Sequence, residues 1–563
     1  MISVSGKNWI ERKVNKNSVE KIKQDYKFNE ILSKLIVSRN FDEDEINNIN
    51  NDLKIINIFK NNNDFKEASK ILINSIKNNE KICILGDYDA DGTAATSLLV
   101  RYFNYIKQPH FYYIPDRVKD GYGATKRLFQ KLILNQPKLV IMVDCGSTSN
   151  EAIDFLNQNK IKSIIIDHHE INKPYPVSNV IINPKKDITR NEESYLCATS
   201  LTYFFLDYLI KSIGSDFKIN NYLIFVLLAT VCDVMPLRKI NKIIASNVIK
   251  GFKINDNAIF KFIFEQLNLN KKLSIDDLGY LIGPIINSGG RLGFSNYGVE
   301  LLTTDNLKLI KKRSIELIKL NEKRKLLEQN ILDQINYEKI NKNNNKVIIY
   351  YNANLNEGLI GIIAARLKDY FNKPSIVITK SNNILKASAR STSNYNIGNL
   401  IKLLIDKKII ENGGGHNMAA GFSIKKNKLK RLNEFIQNDY SYKILNSNLS
   451  YYESEVSASI INTQFMDEIN KLGPFGNHNF MPIFMIRNVK IIKSSIVNKK
   501  HISAIVKPNT GSSFKSICFN SVNTQVGNYL LSYKKQIDII GEINENIWNN
   551  KKIIQLNIKD LVL

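Results

Sequence analysis

The chain has 563 residues, and at about 150 residues per domain this length favours a protein of several domains. Hydrophobic residues make up 43% and charged residues 23% of the chain, which excludes a mostly disordered or collagen-like protein. Lys and Arg number 79 against 53 Asp and Glu, and the formal net charge of +26 favours a polyanionic partner, nucleic acid before an anionic membrane surface. The alternative is compositional drift, because Lys, Asn and Ile are abundant along the whole sequence.

The cysteines favour neither a disulfide framework nor a zinc site, because they are five in number, scattered and without C-x-x-C spacing. Residues 1–13 lack a continuous apolar stretch. The longest apolar run, Tyr222–Cys232, is shorter than the about 20 residues that span a bilayer. We therefore expect a cytoplasmic protein without a membrane segment.

Between residues 80 and 185, short β-prone runs alternate with helical segments such as Thr93–Phe103, which predicts a parallel sheet with crossover helices. Because ligands bind at the carboxyl ends of such strands, we expect the polar residues there to converge. Three runs end in this way: Lys81–Leu85 before Asp87, Leu139–Val143 before Asp144, and Ser163–Ile166 before Asp167.

A fourth carboxylate, Asp233, follows the apolar segment Tyr222–Val231, and Pro236 predicts that a helix ends close to it. The residues 305–340 have a helical pattern, with Asp305 as the expected N-cap, and predict one long connecting helix. Beyond it, runs such as Val347–Tyr351 restart the strand and helix alternation of a second α/β domain.

The last segment, from about Ser450 to Leu563, has short β-prone runs punctuated by turns at Gly473–Gly476, Asn509–Gly511 and Trp548–Asn550. This pattern predicts a small all-β barrel.

Asp87, Asp89 and Asp91 alternate in a predicted strand-to-helix turn. Carboxylates at this density repel one another, and a divalent cation with a preference for oxygen ligands relieves the repulsion. For an isolated turn, a solvated acidic surface or a helix N-terminus is the alternative interpretation. Acidic residues at three strand ends favour a metal site, and the Asp167–His169 triplet adds imidazole, which suits Mn²⁺ better than Ca²⁺. Two such metals support phosphoester hydrolysis.

Four motifs resemble motifs I to IV of the DHH phosphoesterase family: D-Y-D-A-D-G at Asp87–Gly92, V-D-C-G at Val143–Gly146, D-H-H at Asp167–His169 and C-D-V-M-P-L at Cys232–Leu237. Further segments are similar, in the same order, to those of the family's single-strand-specific 5′ exonucleases, and the resemblance covers essentially the whole chain. They are I-P-D-R ending at Arg117, G-Y-G around Tyr122, N-S-G-G-R ending at Arg291, E-G-L-I-G at Glu357–Gly361, K-A-S-A-R-S at Lys386–Ser391 and the G-G-H of Gly414–His416.

The resemblance implies a role for each of these residues. Two Mn²⁺ or Mg²⁺ ions would be surrounded by Asp87, Asp89, Asp91, Asp144, His168 and Asp233, with Asp144 between the ions. His169 would face the scissile phosphate, Asp167 would be a further catalytic residue, and Arg291 would lie near the cleaved bond. The substrate would be held by Arg117, Tyr122, Ser388, Arg390, Gly415 and His416, with Gly415 in a glycine-rich loop.

The resemblance also implies the architecture: an α/β protein with a parallel-sheet DHH domain, a long helix, a smaller DHH-associated α/β domain and a C-terminal OB-fold barrel. We place these at residues 1–300 with an N-terminal extension, 301–342, 343–445 and 446–563. The implied function is release of mononucleotides from the 5′ end of single-stranded DNA, in repair and recombination.

The partners implied are single-stranded DNA, single-strand-binding protein and a helicase, and we expect a monomer. Two other hypotheses stay open at this point: a hydrolase of short oligonucleotides or pyrophosphate with the same chemistry, and a catalytically dead single-strand binder. The first class typically lacks a C-terminal barrel, and the second loses motif carboxylates, which are all present here.

Overall fold

The chain is described by a computed structural model. The structure describes residues 1–51, 54–116, 120, 123–186, 193–342, 345–381, 383–392, 394–438, 449–509, 512–532, 535–548 and 551–563, and no side chains at 546–552.

The helices are α1 Lys16–Tyr26, α2 Glu30–Ser38, α3 Glu43–Asn47, α4 Asn63–Lys77, α5 Ala90–Tyr105, α6 Lys126–Leu132, α7 Asn150–Gln158, α8 Ala198–Ile213, α9 Leu223–Cys232, α10 Lys239–Gly251, α11 Ala258–Gln266, α12 Ile275–Asp277, α13 Gly283–Arg291, α14 Asn296–Thr303, α15 Leu307–Asp333, α16 Tyr337–Lys342, α17 Ile360–Phe371, α18 Ile397–Asp406, α19 Leu429–Asn438, α20 Thr463–Asn470 and α21 Gln525–Ser532.

The strands are β1 Asn8–Glu11, β2 Ile82–Leu85, β3 His110–Tyr113, β4 Leu139–Val143, β5 Lys162–Ile166, β6 Val180–Ile182, β7 Ile348–Tyr351, β8 Ser375–Ser381, β9 Ile384–Arg390, β10 Asn412–Gly415, β11 Ala419–Ile424, β12 Leu449–Tyr452, β13 Ser454–Glu455, β14 Ile483–Val497, β15 His501–Pro508, β16 Phe514–Cys518, β17 Ile537–Trp548 and β18 Lys551–Val562.

The first α/β region has a five-stranded sheet in the order β3-β2-β4-β5-β6, and every pair in it is parallel. Strands β2 and β4 are buried along their whole length, as expected for apolar runs covered on both faces. The predicted parallel sheet is confirmed, and it brings the carboxyl ends of β2, β4 and β5 to one edge.

The predicted connecting helix differs from the structure at both ends. The N-cap of α15 is Asn306, whose side chain accepts from the backbone of Lys308, while Asp305 forms an ion pair with Arg101 at 2.6 Å. The helix ends at Asp333, and the side chain of Asn336 then accepts from the N–H of Lys339 at 2.8 Å and caps α16. Two capped helices therefore replace one.

The second α/β region has a five-stranded mixed sheet in the order β10-β11-β9-β8-β7. Strands β7 and β8 are parallel, and the other neighbours are antiparallel. The sheet packs against α17 and α18 through buried residues such as Ile363 and Leu400. Ile335, from the apolar stripe of the long helical segment, is buried in the same cluster as Ile363.

The C-terminal segment forms a closed barrel, because β14 pairs with both β15 and β17 in the order β14-β15-β16-β18-β17. The predicted barrel is confirmed, but the segment also contains α20 and α21, so it is not all-β. The side chains of Met466 in α20 and Leu530 in α21 are buried in the barrel's core.

The chain divides into two compact units. Met1–Ile55, Pro236–Ser246 and Asn446–Leu563 form the first, and Ile56–Met235 with Asn247–Leu445 form the second. The N-terminal segment therefore belongs with the barrel, in contrast to its predicted place as an extension of the DHH domain. Strand β1 pairs in parallel with β12, and the buried carboxylate of Asp560 accepts from the indole N–H of Trp9 at 2.8 Å and from the hydroxyl of Ser3 at 2.6 Å.

Among the residues that the structure describes, no helix is both long enough and apolar enough to cross a membrane.

Candidate active site

The polar residues at the ends of β2, β4 and β5 meet at one edge of the first sheet. The Nε2 atom of His168 lies 3.3 Å from a carboxylate oxygen of Asp144 and 3.4 Å from one of Asp233. Asp233 follows α9 directly as its C-cap, which confirms the prediction that a helix ends there. The predicted convergence is therefore present in the structure.

Asp144 lies at the centre of this cluster and is 2% exposed. Its backbone has φ 61°, an uncommon conformation for a residue with a side chain, held in part by the N–H donated to Ile166 O at 3.0 Å. Its Oδ1 atom is buried and accepts no hydrogen bond from the described residues. Burial and the nearby carboxylates, Asp91 foremost, raise the pKa of Asp144 well above its ordinary value.

Two of the three alternating aspartates also hold helix ends. The Oδ1 atom of Asp89 accepts from the N–H groups of Asp91 and Gly92 and so caps α5. Both carboxylate oxygens of Asp91 accept from the first turn of α8, at 2.8 Å from the N–H of Ala198 and 2.8 Å from that of Thr199. The helix-terminus interpretation and the metal interpretation of this motif are thus compatible, since each carboxylate has further lone pairs.

A glycine is required where this turn closes. A Cβ atom at Gly92 would lie 2.6 Å from the backbone nitrogen of Asp87, so any larger residue would displace the carboxylate-bearing loop. Asp87 itself is 3% exposed, and one of its carboxylate oxygens lies within 4.8 Å of ligand atoms of Asp89 and Asp144.

His168 faces three carboxylates, since its Nε2 atom also lies 3.6 Å from Asp91. Burial and the neighbouring ring of His169 lower the pKa of His168 to about 4. The ring is therefore neutral at physiological pH and can offer a lone pair at Nε2. Its Nδ1 atom is buried and has no hydrogen-bond partner among the described residues.

Asp167 and His169 form a hydrogen-bonded pair, with the Nδ1 atom of His169 2.8 Å from Oδ1 of Asp167. The backbone N–H groups of His168 and His169 donate to the same oxygen, and that of Ser147 donates to Oδ2 at 3.0 Å. Although burial opposes it, this set of donors lowers the pKa of Asp167 below its ordinary range. Burial also opposes protonation of His169, but Asp167 outweighs it and raises the pKa of His169 to about 9. Asp167 therefore holds a proton on Nδ1.

The second α/β region contributes His416, whose ring lies 6.1 Å from that of His169 with 23° between the planes. Its Nδ1 atom is 3.6 Å from Glu170, which also lies 3.3 Å from Lys185. Gly415, predicted in a glycine-rich loop, instead ends β10, which pairs with β11 in antiparallel register. The loop prediction was wrong, because each glycine of this stretch has a backbone partner on β11 that local composition does not reveal.

Arg291, the last residue of α13, donates to the carbonyl of Gly358 at 3.1 Å. Ser388 and Arg390 lie together on β9, with Nη1 of Arg390 3.2 Å from Oγ of Ser388. A Cβ atom at Gly361, in the first turn of α17, would lie 3.1 Å from both side chains. The predicted substrate residues Arg117 and Tyr122 lie outside the described residues.

Three groups of these residues are close enough to hold a metal ion, with ligand atoms within 4.8 Å of one another: Asp87, Asp89 and Asp144; Asp91, His168 and Asp233; and Asp144, His168 and His169. Asp144 and His168 each belong to two groups, which suits adjacent cations. A donor set of carboxylate oxygens with imidazole nitrogens fits Mn²⁺ or Mg²⁺. The buried Oδ1 of Asp144, which lacks a hydrogen bond from the described residues, is an atom that such an ion would satisfy.

Sequence reasoning missed Asn183, which follows β6 and donates to both Ser147 and His169, and it missed Glu170. The signal for Asn183 was its position after a fourth apolar run, Val180–Ile182, at the same edge of the sheet.

Comparison with family models agrees with this geometry. Residues 81–230 match the DHH family N-terminal domain, residues 344–441 match the DHHA1 domain, and residues 452–560 match the RecJ OB domain. The chain is a RecJ-type member of the DHH family.

Curated RecJ proteins match along most of the chain. The single-stranded-DNA-specific exonuclease RecJ of Bacillus subtilis is 27% identical over 98% of this chain and 70% of its own length. The protein of the same name from Escherichia coli is 26% identical over 81% of this chain and 83% of its own length.

Solved structures share the fold of this RecJ-type chain. RecJ from Thermus thermophilus in complex with Mn²⁺ has a TM-score of 0.82 at 19% identity, covering 99% of this chain and 79% of that one. The same protein in complex with Mg²⁺ has a TM-score of 0.76 at 18% identity, covering 99% and 78%.

Proposed function

We propose that this chain is a metal-dependent exonuclease that degrades single-stranded DNA from the 5′ end to mononucleotides, in DNA repair and recombination. The names of the RecJ relatives support the substrate. The observation that carries the chemistry is the contact of His168 with Asp91, Asp144 and Asp233 in one buried cluster.

The proposed metal ligands are Asp87, Asp89, Asp91, Asp144, His168 and Asp233. Asp144 would lie between two cations, a role supported by its membership of two ligand groups. Bound Mn²⁺ or Mg²⁺ would supply polarisation of the phosphoryl oxygens and a water of lowered pKa for in-line attack.

The remaining roles belong to side chains of the chain itself. His169 would face the scissile phosphate, with Asp167 holding its Nδ1 proton and so orienting the ring. Arg291 would contact the phosphate near the cleaved bond, because a guanidinium offers several donors to phosphate oxygens. His416, stacked beside His169, and Gly415 would border the path of the strand.

Ser388 and Arg390, with Arg117, would hold the terminal 5′ phosphate, and Tyr122 would contact the strand near it. The contact between Arg390 and Ser388 at the first turn of α17 supports an anion-binding role, since backbone N–H groups at a helix N-terminus also favour a phosphate.

The barrel supports single-stranded DNA as the partner. On its outer face, Lys490 lies directly opposite Lys507, and Ile505 lies opposite both Lys493 and Lys515. Like charges directly opposite each other destabilise a sheet, and a bound phosphate backbone relieves that cost. Phe519, which directly follows β16 and lies against the ring of His501 at the start of β15, is exposed and offers a ring on which a base can stack.

We further propose a monomer in the cytoplasm, with single-strand-binding protein and a helicase as partners. These last proposals rest on the family alone.

The proposed activity is tested by digestion of 5′- and 3′-labelled DNA, single-stranded and duplex, with and without Mn²⁺. Release of labelled mononucleotide first from the 5′ end of single strands, and only with metal, is the expected result. Cutting of duplex at an equal rate, or release from the 3′ end, would contradict it.

A further inference from the structure

Asn183 occupies a position from which one side chain reaches two parts of the active site. It is 6% exposed and immediately follows β6, next to β5 in the sheet. Its Nδ2 atom donates to Oγ of Ser147 at 2.8 Å and to the backbone carbonyl of His169 at 2.9 Å. Its Oδ1 atom accepts from the N–H of Lys185 at 2.9 Å. Both amide protons and the oxygen are therefore engaged.

The two recipients of these protons control the same hydrogen-bonded pair. Ser147 donates its backbone N–H to Oδ2 of Asp167, and Asp167 in turn accepts from the ring of His169 through Oδ1. The second proton of Asn183 fixes the backbone of His169 directly. One amide thus fixes the backbone of His169 and, through Ser147, the carboxylate that orients its ring.

Asn183 makes no hydrogen bond to the proposed metal ligands in the described residues. Its side-chain hydrogen bonds go to Ser147, His169 and Lys185, and none of these is one of the six proposed metal ligands. Asn183 acts on the site through its hydrogen bonds to Ser147 and His169. Its replacement should therefore change the orientation of the His169 ring more than it changes metal binding.

We propose that Asn183 is a positioning residue for the hydrolytic step, and that it acts by orienting His169 toward the scissile phosphate. The inference rests on the proposed function, since it assigns His169 to that phosphate. A hydrogen-bond partner behind a reacting or ligating histidine typically contributes about 10- to 100-fold to activity.

Asn179 offers a matched control. It lies just before β6, whereas Asn183 lies just after it, and its Oδ1 atom accepts from the N–H of Ser163 at 2.8 Å. Asn179 is exposed and contacts none of the proposed catalytic residues through that bond.

The experiment compares the kcat and KM of Asn183→Ala and Asn179→Ala on a 5′-phosphorylated single-stranded oligonucleotide, together with Mn²⁺ affinity by calorimetry. For Asn183→Ala we expect kcat to fall about 10- to 100-fold, with KM and Mn²⁺ affinity within about twofold of the parent values. Asn179→Ala should retain the parent kcat. An equal fall in both variants, or loss of Mn²⁺ binding in Asn183→Ala, would overturn the proposal.

A double-mutant cycle provides the sharper readout. If Asn183 acts through the ring of His169, then Asn183→Ala should cause no further loss of kcat in a His169→Ala background. A further loss of the same size as in the parent would assign Asn183 to a general structural role. Should Asn183→Ala fail to fold, Ser147→Ala removes only one of the two links, and a smaller loss with the same dependence on His169 is expected.

A direct measurement separates this proposal from the proposed function. The ring N–H signal of His169, assigned by its disappearance in His169→Ala, should shift or broaden in Asn183→Ala and stay unchanged in Asn179→Ala. An unchanged signal in Asn183→Ala overturns the positioning role even if the enzyme is an active nuclease. A parent chain that cuts no single-stranded DNA overturns the proposed function, whatever this signal does.

Discussion

The Oδ1 atom of Asp144 lies 3.3 Å from Nε2 of His168, and the described residues offer that oxygen no hydrogen bond. A buried carboxylate in this state is costly unless a proton or a cation neutralises it. A cation bound at this carboxylate should therefore raise the free energy of unfolding of the protein.

For Asp144→Asn, we expect hydrolysis to be lost and DNA binding to be largely retained. The free energy of unfolding without metal should rise by about 1–3 kcal/mol, because the substitution relieves repulsion among buried carboxylates. Added Mn²⁺ should stabilise the parent and have much less effect on the variant. Thermal unfolding with and without Mn²⁺ measures both effects, and Asp154→Asn, an exposed carboxylate on α7, is the control. Mn²⁺ stabilisation of equal size in Asp144→Asn would contradict the assignment.

Replacing Arg390 with Ala should reduce the preference for a phosphorylated over an unphosphorylated 5′ end by about tenfold or more, since hydrogen bonds from a charged donor contribute roughly 1.5–3 kcal/mol. Competition between the two oligonucleotides in one reaction measures the preference. Lys386→Ala, on the same strand, removes a cation four residues away and should leave it intact. An unchanged preference in Arg390→Ala would exclude Arg390 from the proposed site of the terminal 5′ phosphate.

Replacing Lys490 and Lys507 together with Ala should weaken binding to long single strands and reduce the slope of log affinity against log salt by about 1.4, since each single-strand phosphate contact contributes about 0.7. Cleavage of short oligonucleotides should change much less. Titrations at several salt concentrations provide the slope. Lys559→Ala is the control, because Lys559 already pairs with Glu542 at 3.1 Å. A slope that stays the same in the double variant would exclude this face as the binding surface.

The ammonium of Lys242 is buried, and no described residue accepts a hydrogen bond from it. Burial lowers the pKa of Lys242 to about 8, although Glu45 acts in the opposite direction. Lys242→Met should therefore raise the free energy of unfolding at pH 7 by about 1–2 kcal/mol.

The sign follows from linkage. The pKa of Lys242 in the folded protein lies below its ordinary value of 10.5. The charged side chain therefore destabilises the folded state fully below pH 8, and this destabilisation disappears as the pH rises to about 10.5. The difference between Lys242→Met and the parent should shrink over that window in chemical denaturation. Lys239→Met, which replaces an exposed lysine, is the control variant. A difference between Lys242→Met and the parent that stays constant with pH would refute the explanation.

The strand ends were predictable from the sequence because apolar runs followed by carboxylates are local patterns. Asp87, Asp144 and His168 were assigned to one edge of the sheet on that basis, and the structure brings them together. The contact of His416 with His169 depends instead on packing between segments about 250 residues apart. No local periodicity encodes such a contact.

The sequence also did not reveal which side chains hold a helix end in addition to, or instead of, their predicted role. Asp91 was predicted as a metal ligand or as part of the N-terminus of its own helix, yet both of its oxygens hold the start of α8, which lies more than 100 residues away in the chain. The break between α15 and α16 was missed because Asn336 is a common surface residue until its side chain is seen to cap a helix. Position in three dimensions decides between these uses of the same side chain.

The pairing of β1 with β12 has a consequence for biosynthesis. Residues 1–55 leave the ribosome long before Asn446–Leu563, the segment against which they pack, so at about 5–20 residues per second they wait roughly 20–80 s. During that interval apolar side chains such as Leu32 and Leu35, buried in the finished protein, have no partner from the barrel. The nascent chain therefore exposes an apolar N-terminal segment to which chaperones can bind. In a truncated translation product that lacks the barrel, this segment would remain unfolded.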